Sequence, residues 1–302
     1  MARKLIPLIL FFAFLQTNFY AQSLSYSGTN SYNITSPTHI SANFTPSLER
    51  TPTGMAFGDS GNKLFLIGTG GDMVVQYDLS TAYDPSTRGT IQKYFRVNAE
   101  DGTPEDVLFN ENDGASSGTK MYILGGAGDD VTQYTLSTAW DVSTATTPVV
   151  YDTRIQMEAV VGVTQADRHT GMRFNDDGTK LFIVDRRADR VFEFSLSTAY
   201  DISTTGTVDA TLQVNTQEGN PRAIEFNSNG SELYMIGNAN DQIHTYPLTT
   251  NYDISAVGTI TSSSATTTQD NTPQALLLDD DGDNFYIAGS SNDLIYTYSL
   301  TG

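Results

Sequence analysis

The chain has no cysteine among its 302 residues. That excludes a disulfide framework and any thiolate metal site, so a domain of this length must be held by packing alone. Histidine is scarce: His39, His169 and His244 are all there is, and no two have a spacing that builds a metal site. Basic side chains are few as well, 16 Lys and Arg against 35 Asp and Glu, for a formal charge of −19. A charge of that size repels nucleic acid and anionic membrane, so neither is expected as a partner. No apolar run is long enough to cross a bilayer. The one candidate, Leu5–Leu15, follows Arg3 and Lys4 and precedes Ala21-Gln22. It reads as a signal peptide over 1–21, with a soluble mature chain over 22–302 expected in the periplasm, at the cell surface or in the medium. A G-x-S-x-G nucleophile elbow is absent, and the sequence gives no reason to expect a cofactor or a metal.

What the sequence does contain is a repeat. Phe57, Phe109, Phe174, Phe226 and Leu278 each end a short apolar run, and three of the four intervals between them are 52 residues. The longer interval, Phe109 to Phe174, absorbs insertions near Ala115–Gly118 and between Asp141 and His169. In each unit a turn with glycine follows (Gly61, Gly114 or Gly118, Gly178, Gly230, Gly282), a position that favours positive φ. A second strand such as Lys180-Leu181-Phe182-Ile183-Val184 comes next. A third ends in an aromatic and Leu, and a stereotyped Ser-Thr-Ala-Tyr-Asp segment (80–84 in the first copy) leads to a fourth, such as Val208–Asn215. Short β-branched and aromatic runs bounded by turn residues are strands, and four strands in about 50 residues is one propeller blade. Met157–Val163 reads as a strand extension or a loop. The fifth copy stops before its fourth strand, and Tyr32-Asn33-Ile34-Thr35 resembles Tyr252-Asp253-Ile254-Ser255. Residues 32–50 are therefore expected to supply the outer strand of the last blade. The fold expected is all-β: a single five-bladed β-propeller of four antiparallel strands per blade, closed by an N-terminal strand.

Several repeated residues read as structural. Asp72, Asp129, Asp189, Asp241 and Asp293 read as turn residues whose carboxylates accept backbone N–H bonds in their own loops. Asp84, Asp141, Asp201 and Asp253 read as turn formers, and Asp279-Asp280-Asp281-Gly282-Asp283 as a hairpin turn that lacks the spacing of a calcium loop. The column Tyr83, Trp140, Tyr200, Tyr252 reads as packing between strands. Four units place Pro before the first strand (Pro52, Pro104, Pro221, Pro273) and an acid three residues earlier (Glu49, Asp101, Glu218, Asp270); the third has His169 and Ala166 instead.

Function in a repeat is sought where the copies differ. The third unit carries Arg168 and His169 before its first strand, Arg173 within it, and Arg186, Arg187 and Arg190 in the loop between strands two and three, with Arg222 in the next unit. Arginine binds planar anions through a bidentate fork, so these seven residues are the candidate ligand-binding set for an anionic glycan or an acidic protein segment. Internal pairing, such as Arg173 with Glu225, is the plain structural alternative. Phe174-Asn175-Asp176-Asp177-Gly178-Thr179-Lys180-Leu181-Phe182-Ile183 resembles the repeats of secreted bacterial β-propeller proteins, the broad group with YVTN-type and TolB-type members. The resemblance implies the fold, and a binding or scaffolding role, with some propellers being lactonases, lyases or glycosidases. The reading taken is a non-catalytic binding module. The alternatives are a protein-interaction scaffold and a carbohydrate-active or lactonase-like enzyme, which would need a deep axial pocket facing Glu105, Asp106 or Glu225.

Overall fold

The computed structural model describes residue 34 and residues 37–300, apart from 92, 163–165, 241, 264–268 and 280–281. The leader read at 1–21, Tyr32-Asn33, Asp241, Asp280 and Asp281 lie outside the described residues. Among the described residues the chain forms five four-stranded antiparallel sheets. An N-terminal strand, β1 (Thr38–Phe44), precedes them. Blade one is β2 (Pro52–Gly58), β3 (Lys63–Gly68), β4 (Met73–Asp78) and β5 (Lys93–Arg96). Blade two is β6 (Pro104–Phe109), β7 (Lys120–Gly125), β8 (Asp130–Thr135) and β9 (Val149–Asp152). In blade three these are β10 (His169–Phe174), β11 (Lys180–Asp185), β12 (Arg190–Leu196) and β13 (Thr205–Gln213). Blade four follows with β14 (Pro221–Phe226), β15 (Glu232–Gly237), β16 (Ile243–Pro247) and β17 (Thr261–Ser263). Blade five has β18 (Pro273–Leu278), β19 (Asn284–Gly289) and β20 (Leu294–Ser299), and its fourth strand is β1, paired antiparallel with β20. The five-bladed ring closed by an N-terminal strand is the fold expected from the repeat.

Side chains alternate across each sheet with period two, so one strand feeds two cores. On β3, Leu64 and Leu66 pack with Ala275, Leu277 and Tyr286 of blade five. Phe65 and Ile67 of the same strand pack with Val107, Phe109 and Met121 of blade two. Five such cores lie between the five pairs of neighbouring blades. This is why the second strands read as continuous apolar runs. Each fully buried Leu or Phe contributes about 1.5–3 kcal/mol. Polar ties cross the same seams. Gln76, Gln133 and Glu193 on third strands accept the N–H of Val142, Ile202 and Ile254 in the next blade. Tyr122 and Tyr286 donate their hydroxyls to the carbonyls of Tyr200 and Tyr83, both at 2.5 Å.

The turn residues behave as expected with two differences. Asp84, Asp141, Asp201 and Asp253 accept the N–H two residues on and cap short turns. Asp279 accepts the N–H of Asp283 and Asn284 and shapes its hairpin. In the other Asp column the backbone matters more than the carboxylate. Asp72, Asp129, Asp189 and Asp293 all sit at φ between 49° and 54°, a left-handed conformation that Asp tolerates better than most residues. Asp72 and Asp129 each leave a buried carboxylate oxygen without a hydrogen-bond partner. The second difference lies in the long insertion. Residues 154–161 form a helix, α1 (Arg154–Val161), in place of a strand extension or loop, and bury Met157 against blades two and three. Two turns of helix are too short to show a period in sequence.

Candidate functional site

The first strand of every blade lines the axis, and each has a β-bulge at its second residue. A bulge re-aims the local side chains. At the third residue the blades approach closely: a Cβ on Gly54 would lie 2.5 Å from the Asp106 backbone. At the fifth come Ala56, Leu108, Arg173, Glu225 and Leu277. Arg173 fills the middle of that ring. Its Nε donates to Glu225 at 2.9 Å, Nη1 to Asp106 at 3.0 Å and to the Met172 carbonyl at 2.7 Å, and Nη2 to the Leu276 carbonyl at 2.9 Å. These bonds use four of its five N–H groups. Burial works against the Arg173 charge, and Glu225 and Asp106 more than restore it. Asp106 is fully enclosed, and burial raises it to about 6 against the pull of Arg173.

Arg173 and Glu225 form the floor of a cavity of about 590 Å³. It opens on the face made by the hairpins between first and second strands. Asp59, Glu111, Asp176 and Asp279 stand around it, with Phe57, Phe109, Phe174 and Phe226 on its walls. Tyr83, Trp140, Tyr200 and Tyr252 also line it, so the aromatic column both packs and faces the cavity. Each of these four has φ between 54° and 60° and lies against the glycine of its own hairpin. A Cβ on Gly178 would fall 2.3 Å from the Tyr200 ring, and one on Gly118 2.2 Å from Trp140. Gly118 rather than Gly114 is therefore the turn glycine of the lengthened unit. The larger indole has a second consequence. Gly58 of blade one stands where the other blades have Asn or Asp, and a Cβ there would lie 2.4 Å from Trp140.

The arginine-rich set lies mostly on the opposite face, and the structure separates its members. His169 is completely buried; its Nδ1 is 3.4 Å from the Thr153 hydroxyl, and its Nε2 makes no hydrogen bond and lies 3.8 Å from an Asp185 carboxylate oxygen. Burial lowers it to about 3, so it is neutral at ordinary pH. Arg187 donates from Nη1 alone to both carboxylate oxygens of Asp167, at 2.9 and 2.7 Å. Arg190 donates to the Thr211 hydroxyl at 3.1 Å, and the backbone N–H of Arg168 donates to Asp185. Arg186 and Arg222 flank Glu105 near the axis. Burial raises Glu105 to about 7 despite these two arginines, and burial lowers Arg222 to about 10. Among the described residues no three of His, Asp or Glu are gathered closely enough to hold a metal ion.

The missing acid of blade three has a replacement. In the other blades one carboxylate collects three backbone N–H groups: Glu49 takes those of Thr51, Gly70 and Gly71. Asp101, Glu218 and Asp270 repeat the pattern. Blade three has Ala166 at that place, and Asp185 supplies the carboxylate from the end of β11, accepting from Arg168, Arg187 and Ala188. The other blades have glycine where Asp185 stands, because their acid fills the space: a Cβ on Gly289 would lie 2.2 Å from Asp270.

The cavity acids Asp59, Glu111, Asp176 and Asp279 were not singled out from the sequence as a site, because at hairpin tips they look like turn residues. Their signal is positional: four of the five first-to-second-strand hairpins carry an acid that faces the axis. No curated protein matches the chain. Among solved structures it is similar to a Bacteroides uniformis protein provisionally assigned as a 6-phosphogluconolactonase, at 15% identity and TM-score 0.49, over 79% of this chain and 64% of that one. The chain thus spans less than two thirds of that protein. It is also similar to a luciferin-regenerating enzyme at 10% identity and TM-score 0.50, over 88% of this chain and 96% of that one, a likeness of fold. Residues 131–302 match the family described as "Lactonase, 7-bladed beta-propeller". This match overturns the expectation of a non-catalytic binding module for an anionic glycan or acidic segment and favours the lactonase-like alternative. In the structure the axial cavity is lined by carboxylates, while Arg173 and Arg187 are held in internal ion pairs. With more than half of its length matched, the chain belongs to this family of β-propeller lactonases, in a form with five blades.

Proposed function

We propose that the protein is a hydrolase that opens the ring of a cyclic ester, with the axial cavity as its active site. Family membership supports the reaction class. The observation that carries the site is the Glu225–Arg173 pair, 2.9 Å apart, in the lining of the axial cavity. Hydrolysis of a lactone needs an activated water and a donor for the oxyanion. Glu225 is half-buried and serves as the base: it takes a proton from water as the oxygen bonds to the lactone carbonyl carbon. The fifth N–H of Arg173 supplies positive charge to the oxygen that gains the electron pair. Collapse of the tetrahedral adduct breaks the ring C–O bond, and the proton held by Glu225 passes to the departing alkoxide. The product is an open hydroxy acid, which ionises and releases a proton to the medium.

That proton makes the test direct. In a pH-stat, purified protein should hydrolyse members of a panel of aliphatic and sugar-derived γ- and δ-lactones faster than buffer. Glu225→Gln keeps the shape and an acceptor for Arg173, and should reduce the rate by roughly 10²-fold or more at unchanged circular dichroism. A wild-type rate no greater than buffer, or a Glu225→Gln variant as active as wild type, would remove this reading.

A further inference from the structure

The charge around the cavity separates two kinds of lactone. Five carboxylates line it, Asp59, Glu111, Asp176, Glu225 and Asp279, and among the described lining residues Arg173 is the one basic side chain. Arg173 is committed to Glu225 and Asp106, and two backbone carbonyls take further N–H groups, so it has no free fork for a phosphate. Asp59, Glu111 and Asp176 are exposed at the rim, where a charged group on a bound ring would have to sit. A metal bridge between phosphate and these acids has no cluster of donors to hold it among the described residues. The walls, by contrast, are the phenyl, phenol and indole faces that suit an uncharged ring.

We infer that the cavity selects uncharged lactones and rejects phosphorylated ones. The inference rests on the cavity being the hydrolytic site, and its test keeps the two claims apart. Trp140 is the single tryptophan of the chain and lines the cavity, so its fluorescence reports occupancy without catalysis. The probes are gluconolactam, a non-hydrolysable neutral lactone analogue, and its 6-phosphate, titrated into the full chain. Saturable change with the lactam is expected, with binding of the 6-phosphate at least ~30-fold weaker at low salt and the gap closing as salt rises. Glu111→Gln with Asp176→Asn should narrow that gap by about 10-fold, because both side chains are rim charges. A 6-phosphate that binds as tightly as the lactam overturns the selectivity. Silence of Trp140 toward both probes overturns it as well, since nothing then enters the cavity. Lactam binding without hydrolysis of any lactone would remove the catalytic reading and leave the selectivity standing.

Discussion

One methyl group is enough to probe how the hairpins are built. Gly178 has φ of 69° and sits beneath the Tyr200 ring, so alanine there meets backbone strain and an aromatic face together. The two effects sum to about 2–4 kcal/mol. Gly219 has no heavy atom within 4 Å of a would-be Cβ, and alanine there should stay within about 0.5 kcal/mol of wild type or stabilise slightly. Urea denaturation of Gly178→Ala and Gly219→Ala measures both; equal losses would mean that the ring contact is not what the turn glycine serves. The residue scale is also where sequence and structure agree most closely. The recurrence of Gly61, Gly178, Gly230 and Gly282 is visible because the same left-handed turn recurs at each of them. The role of Asp72 and its counterparts was half visible: a turn was legible, but not that the turn needs their backbone more than their carboxylates.

At the scale of the element, a loop between second and third strands is held by a carboxylate wherever the carboxylate is anchored. Asp185→Gly should leave the N–H groups of Arg168, Arg187 and Ala188 without an acceptor and cost about 2–4 kcal/mol. Adding Ala166→Glu rebuilds the arrangement of the other blades and should recover most of that loss in the same unfolding measurement. A double variant no more stable than Asp185→Gly alone would refute the equivalence. The exchange explains why blade three was legible only in part. Ala166 marks a missing acid in the sequence, but its substitute lies on another strand and reads as one more charge in an arginine-rich loop. The cavity was hidden for a related reason. Asp59, Glu111, Asp176 and Asp279 belong to four separate hairpins, and only ring closure brings the four around one cavity.

For the whole molecule, Arg173 is a hub that joins blade three to Asp106 of blade two, Glu225 of blade four and Leu276 of blade five. Arg173→Met leaves Asp106 buried without its cation, which should cost about 3–5 kcal/mol. Asp106 is already raised to about 6 with Arg173 in place, and losing the cation raises it further. The folded variant therefore holds that proton more tightly than the unfolded chain, and its stability falls as pH rises above the unfolded carboxylate value. The loss should be large at pH 7.5, smaller at pH 5, and largely repaired by adding Asp106→Leu. Denaturant titrations at the two pH values check this, and equal losses at both would show that Asp106 is not the group left stranded. The pairing of β1 with β20 bears on how such a ring comes into being. Thr38 faces Ser299, so a strand made before blade one must wait, unpaired, for one made after blade four. Blades one to four can each be assembled from consecutive chain as it emerges, whereas the fifth cannot. The entropy of joining such distant partners grows only slowly with separation, but the encounter sets the pace. The ring, and with it the rim and floor of the cavity, is complete only once β1 and β20 have met.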